Sequence, residues 1–306
     1  MMKFLKKVDL LTRLSLLLFL GTAVVFAVYF ILIVLRKDTV GPVITIKNSR
    51  IELSVQDNTL ALMEGVNAID NRDGDVTSSI MIESLSNLIN GKERIVTYAA
   101  VDKSHNVTTA KRTAVYTDYI SPEFHLSGPL CYQVRTADLI SGITVFDYLD
   151  GDITNSIRII SDDDFNMSIP GVYDITFQAS NSAGDVAELK TKVELYNDYT
   201  ARQIDILLKD YVVYINKDSY FDPKDYLESA VLNGIVYRFV DGPESYGDPN
   251  TEIKKQTIGV DRVSINGVVN TSEPGGYEIM YSLTMTTTSG DQVSGRIYLP
   301  VIVRDN

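Results

Sequence analysis

The chain has 306 residues, 45% hydrophobic and 22% charged, with 9 prolines and 19 glycines, which is ordinary for folded protein and wrong for collagen-like or low-complexity sequence. The formal charge is -12; the first 37 residues hold six Lys/Arg against one acid, so the rest carries 22 basic and 39 acidic side chains. A body that acidic has no phosphate-neutralising surface, which excludes nucleic acid as the main partner, while a single cysteine, Cys131, and two separated histidines, His105 and His125, exclude an internal disulfide, a zinc-cysteine cluster and helical His-x-x-x-His chemistry.

Leu14 to Leu35 is an uncharged run of 22 residues, long enough as a helix to span about 33 Å, one crossing of a bilayer. Lys3, Lys6, Lys7 and Arg13 precede it and only Arg36 and Lys37 follow. The positive-inside rule therefore predicts residues 1–13 in the cytoplasm and everything after Asp38 outside. Val25 and Ala27 resemble a cleavage site, but the apolar run continues eight residues past Ala27, and signal-peptide cores are only about 7–15 residues long. An uncleaved signal anchor is the expectation, with the membrane as partner through Leu14 to Leu35.

The remainder aligns with itself. Residues 65–80, GVNAIDNRDGDVTSSI, and residues 142–157, GITVFDYLDGDITNSI, are identical at eight of sixteen positions. Asp38-Thr-Val-Gly-Pro42 and Asp118-Tyr-Ile-Ser-Pro122 repeat at offset 80, and Asp198-Tyr199 repeats the opening once more. Units over 38–118, 119–198 and 199–306 follow, the last one longer and without the Asp-Gly-Asp element. Apolar and polar residues alternate in Tyr173-Asp-Ile-Thr-Phe-Gln-Ala179 and again at Tyr277, Ile279, Tyr281 and Leu283. Period two predicts half-buried strands, and glycine-bearing breaks such as Asn181-Ser-Ala-Gly-Asp185 predict hairpin turns. The predicted fold class is all-β, a tandem of antiparallel β-sandwiches behind one transmembrane helix.

These motifs resemble the bacterial immunoglobulin-like surface repeats of the group 3 or HYR-like kind, which open with Asp-x-x-x-Pro, carry an A-x-D-x-x-D-G-D-hydrophobic-T stretch and close with Pro-Gly-x-Tyr strands and an Asp/Ser-x-x-Gly-Asn hairpin. The first two units match most of that pattern. In the first, Asn90-Gly91 replaces Pro-Gly and Arg94 takes the Tyr173 position; the third unit keeps the closing half as Pro274-Gly-Gly-Tyr277. The resemblance implies an extracytoplasmic protein of the bacterial cell surface, non-enzymatic, in which such domains act as spacers or binding modules. No cadherin calcium motif is present.

Two readings of the acids at Asp70, Asp73 and Asp75, and at Asp147, Asp150 and Asp152, stay open. Close-set oxygen ligands around a glycine turn suit Ca²⁺, a hard cation taking 6 to 8 oxygens. Alternatively they are turn formers: Asp73 and Asp150 build Asx-type turns by accepting backbone N–H groups, and Thr77 and Thr154 tie the next strand. Turn chemistry with no cofactor is the expectation, Ca²⁺ its rival. Ten of the 18 tyrosines fall in the third unit, whose extra loop presents Glu244, Tyr246 and Asp248 as candidate contacts for a cell-wall glycan or envelope protein. No nucleophile–base set assembles from the sequence, so a spacer with an interaction tip is expected, with polysaccharide binding by the third unit as the alternative.

Overall fold

The alternation becomes one-sided burial. In the strand Gly171–Ser180, Ile175, Phe177 and Ala179 are buried and the residues between them are partly exposed. The computed structural model describes residues 10–135, 138–161, 164–198, 203–242, 257–286 and 290–305. Over these the chain is an all-β protein preceded by one helix, Leu10–Arg36.

Within that helix the span Thr12–Leu35 has a mean hydropathy of 2.8, and none of its residues is buried. Two of its hydroxyl side chains hide their polarity: Ser15 Oγ donates to the Thr12 carbonyl and Thr22 Oγ1 to the Phe19 carbonyl, both at 2.9 Å. Hydroxyls bonded back onto the helix in this way leave no unsatisfied donor facing an apolar medium.

By compactness the chain divides into two units: the helix and residues up to Thr117 without 87–91, and 87–91 with Asp118–Asn306. The first unit holds one sandwich. Val43–Ile46, Val66–Asp70 and Gly74–Asp75 form a three-stranded sheet; Arg50–Leu53, Val107–Tyr116, Glu93–Val101 and Met81–Leu85 form a four-stranded one, in that order. Val66 and Ala68 from the first sheet meet Val96, Tyr98 and Ala100 from the second in its core. The core also buries one cation: Arg112 donates through Nε to the Tyr98 hydroxyl (2.7 Å), through Nη1 to the Glu64 carbonyl (2.8 Å) and through Nη2 to the Leu62 carbonyl. A buried charge persists only when its donors are this fully matched.

The second unit holds two sandwiches. The first of them has the same 3 + 4 order: Glu123–Leu126, Ile143–Asp147 and Gly151–Asp152 face Cys131–Gln133, Val186–Tyr196, Gly171–Ser180 and Arg158–Ser161. The other has four strands in each sheet, Ile204–Leu208, Leu227–Leu232, Ile235–Val240 and Thr257–Gly259 against Val213–Asn216, Gln292–Arg304, Gly275–Thr286 and Ser264–Asn266. In all three sandwiches a short strand pairs in parallel with the second arm of the long hairpin. The two cores of this unit adjoin: Val212 and Ile302 pack on the core around Phe124 and Phe177, Tyr214 Oη accepts the Phe124 N–H at 2.7 Å, and Arg304 pairs with Glu123 while lying 4.0 Å over the Tyr214 ring. At Gly295 the chain passes so close to the Ile204 carbonyl that any side chain would collide with it. His125 and Cys131 occupy strands, and His105 a turn with φ 65°.

Candidate functional site

The Asp-Gly-Asp elements make the same turn twice. Each links a buried strand to a two-residue strand through a glycine at φ 75°, Gly74 or Gly151, a conformation that disfavours any side chain. Asp70 Oδ1 accepts the N–H groups of Arg72 and Asp73 (both 2.8 Å), and Asp147 Oδ1 those of Leu149 and Asp150 (both 2.9 Å). Asp75 and Asp152 each accept the N–H of the threonine two residues on, at 2.9 Å. The threonine hydroxyls, Thr77 and Thr154, accept from Ala68 N (3.1 Å) and Val145 N (3.0 Å). Bonding to the threonine hydroxyl, then to its N–H, holds the Asp75 and Asp152 carboxyls below the usual carboxylate range. Asp73 and Asp150 reach instead to the closing hairpin: Asp73 accepts Lys103 N (2.8 Å), and Asp150 accepts Ser182 N (2.5 Å) and Ser182 Oγ (2.8 Å). The three acids of each sequence cluster thus serve three different sets of donors.

What converges in the first sandwich is a different trio. Asp38 from the segment after the helix, Asp70 from the turn and Asp102 from the hairpin are 7%, 3% and 5% exposed, and one carboxylate oxygen of each lies within 4.8 Å of the others. Asp38 Oδ1 accepts Val40 N (3.1 Å), with Arg72 Nε 3.8 Å from Asp38 Oδ2. Asp102 accepts from Asn106 at both oxygens, N at 2.8 Å and Nδ2 at 2.7 Å. Asp70 Oδ2 is buried with no hydrogen-bond partner. The N–H bonds from Asp73 and Arg72 hold the Asp70 carboxyl below its ordinary range, and the residue shares this space with two further acids.

In the second sandwich the same place holds two carboxylates whose inner oxygens are supplied with donors. The hairpin Asp102-Lys-Ser-His-Asn106 aligns with Asn181-Ser-Ala-Gly-Asp185, exchanging acid and amide. Asn181 Nδ2 donates to Asp147 Oδ2 (3.0 Å) and to Tyr119 Oη (2.7 Å), and the Tyr119 hydroxyl donates to Asp185 Oδ2 at 2.7 Å. Burial, then Asp185, pushes the Tyr119 hydroxyl far above its ordinary range, so it remains a donor. Asp118, which aligns with Asp38, is exposed. Sequence reasoning missed Asp38, Asp102, Tyr119 and Asn181 as partners of the turn; the available signal was the Asp/Asn exchange between the aligned hairpins.

The second unit also has a cleft of about 650 Å³ between its sandwiches, lined by Asp174, Thr176, Glu188, Lys190, Tyr277 and Glu278 among others. Tyr277 Oη donates to the Glu273 carbonyl (2.8 Å); Lys192 pairs with Asp174 nearby, and burial raises the Glu278 carboxyl. The loop with Glu244, Tyr246 and Asp248 lies outside the described residues.

The class defined so far is an all-β protein of sandwiches behind a helix long and apolar enough to cross a membrane. No family model matches the chain. It is 30% identical over 158 residues, 48% of its length, to an uncharacterized 81.3 kDa protein of Acholeplasma phage L2, and spans only 21% of that relative. Among solved structures, the CBM51-2 and INT domains of Clostridium perfringens ZmpB in complex with GlcNAc share 20% identity over 49% of this chain and 27% of theirs, TM-score 0.21. The lipoprotein BT2262 of Bacteroides thetaiotaomicron shares 16% over 54% of this chain and 87% of its own, TM-score 0.18, and Drosophila N-cadherin EC1-4 shares 12% over 78% and 63%, TM-score 0.21. Superpositions at that level fix neither arrangement nor function.

Proposed function

We propose that the chain is a membrane-anchored, extracytoplasmic, non-enzymatic protein of the bacterial cell surface, in which immunoglobulin-like sandwiches form a spacer ending in an interaction module. The observation that carries this reading is the bare helix. None of the residues Thr12–Leu35 is buried, with side chains such as Leu18 at 72% and Phe19 at 69% exposure. A core helix of a soluble protein would be covered; apolar surface of this extent needs lipid. The Lys/Arg excess before the helix supports a cytoplasmic N-terminus and sandwiches outside. Protease added to intact protoplasts is expected to degrade everything after Asp38 and leave the helix with the membrane. Full protection of the sandwiches would overturn the orientation, and a mature N-terminus beyond Ala27 in mass spectra would overturn the anchor.

A second reading, glycan binding by the second unit, is favoured by the cleft, whose wall combines a tyrosine ring with charged side chains such as Lys190 and Glu188. Sugars are held by such pairings of ring faces and fixed polar groups. Tyr277→Ala and Lys190→Ala would then weaken binding of wall polysaccharide in a pull-down at least tenfold, and unchanged binding would remove this reading.

A further inference from the structure

We propose that Asp38, Asp70 and Asp102 of the first sandwich form a Ca²⁺ site, and that the second sandwich has lost the corresponding site by substitution. Three observations carry it. The three oxygens lie within 4.8 Å of one another, the spread allowed around one ion whose ligands stand about 2.3–2.6 Å away. All three residues are over nine-tenths buried, where acids this close repel unless a cation or proton separates them. Asp70 Oδ2 is buried with no hydrogen-bond partner, and the matching oxygen of Asp147 faces Asn181, the residue aligned with Asp102. The unpartnered oxygen is therefore aimed into the trio.

The second sandwich supplies an internal control. There an amide stands where the first sandwich has Asp102 and a tyrosine hydroxyl joins the network, so Asp147 Oδ2 and Asp185 Oδ2 both have donors. The first sandwich has three carboxylates at the same place, one of whose oxygens, Asp70 Oδ2, has no hydrogen-bond partner. Arg72 Nε at 3.8 Å from Asp38 offsets part of one charge and leaves Asp70 Oδ2 without a donor. Ca²⁺ fits better than Mg²⁺, because three carboxylates drawn from separate segments suit an irregular, oxygen-rich shell, whereas Mg²⁺ demands near-ideal octahedra and retains its water. Asp38 stands two residues past the end of the helix at Arg36. A bound ion would pin the membrane-proximal segment to the sandwich.

The full chain in detergent micelles, stripped with EDTA, is titrated with CaCl₂ and separately with MgCl₂ by calorimetry. Expected is saturable binding of one Ca²⁺ per chain, weakened at least tenfold by Asp102→Asn and by Asp38→Asn and unchanged by Asp152→Asn. Retained native circular dichroism shows that a variant lost the ion and not its fold. Absence of saturable binding up to about 10 mM, above the range of extracellular calcium modules, would overturn the proposal. Unchanged binding in Asp102→Asn, loss in Asp152→Asn, or equal affinity for Mg²⁺ would each overturn it as well. Binding to the purified chain is independent of membrane orientation, so this test and the protease test fail separately.

Discussion

The first and second sandwiches share a strand order, a glycine turn and a threonine tie, yet the space behind the turn gathers three carboxylates in one and two carboxylates with their donors in the other. Asp70 and Asp147 have the same backbone partners. Their outer oxygens differ because position 102 is an acid and position 181 an amide. Moving one carboxylate to the far end of a five-residue hairpin, Asp102 to Asp185, converts a cluster short of donors into a closed network. The cores diverge in parallel: Tyr98 with Arg112 in the first corresponds to Phe177 with Thr191 in the second. A buried guanidinium and its phenol partner have been exchanged for an aromatic ring and a hydroxyl of lower hydrogen-bonding demand. Backbone geometry is therefore set by the turn acids and glycines, while the chemistry behind it is set by residues distant in sequence.

Substitutions that erase these differences are expected to act in graded fashion. Asn181→Asp, which gives the second sandwich the acid of the first, removes the donor to Asp147 and Tyr119 and buries an unpaired charge. It should cost about 4 kcal/mol in denaturant unfolding. Arg112→Leu leaves the Glu64 carbonyl and the Tyr98 hydroxyl oxygen without their donor, and the Leu62 carbonyl with the Tyr98 hydroxyl alone, and should cost about 3 kcal/mol by the same measurement; the equivalent Thr191→Val should cost far less. Tyr119→Phe opens the second network without adding charge, and a loss of about 1–2 kcal/mol is expected. The smallest effect concerns what the two sandwiches share. The folded carboxyls of Asp75 and Asp152 lie below their ordinary value of 3.8, so their contribution is present above that pH and is lost as pH falls through the folded value. Thr154→Val should return the Asp152 carboxyl toward 3.8 in an NMR titration while leaving Asp75 depressed.

Much of the fold was legible in the sequence because strands bury one face. Ile175, Phe177 and Ala179, and likewise Ile279, Tyr281 and Leu283, are the buried sides of runs whose alternation is plain. The turn was legible in part: Gly74 and Gly151 bend the chain and Thr77 and Thr154 tie it, but the Asx-type turn expected of Asp73 and Asp150 is made by Asp70 and Asp147, and Asp73 and Asp150 accept from the closing hairpin instead. What proximity in sequence concealed is which acids share a space. Asp73 and Asp75 are neighbours of Asp70 along the chain but turn to other donors. Asp38 and Asp102, each 32 residues from Asp70 in sequence, meet it because one leads into the first strand and the other closes the long hairpin. Asp38 reads naturally as part of a linker motif, and nothing within its own segment marks it as buried.

The exchange of Asp102 for Asn181 is the claim on which the comparison rests, and thermal unfolding of the full chain in calcium-free buffer tests it most directly. Without an ion, Asp102→Asn relieves repulsion and supplies a donor for Asp70 Oδ2, so the melting temperature should rise; Asn181→Asp does the reverse and should lower it. Opposite signs for these two mirror-image substitutions are the predicted result. A fall in both variants would contradict the account, because it would mean that Asp102 is held by hydrogen bonds its amide cannot replace and that the first sandwich carries no excess of buried negative charge.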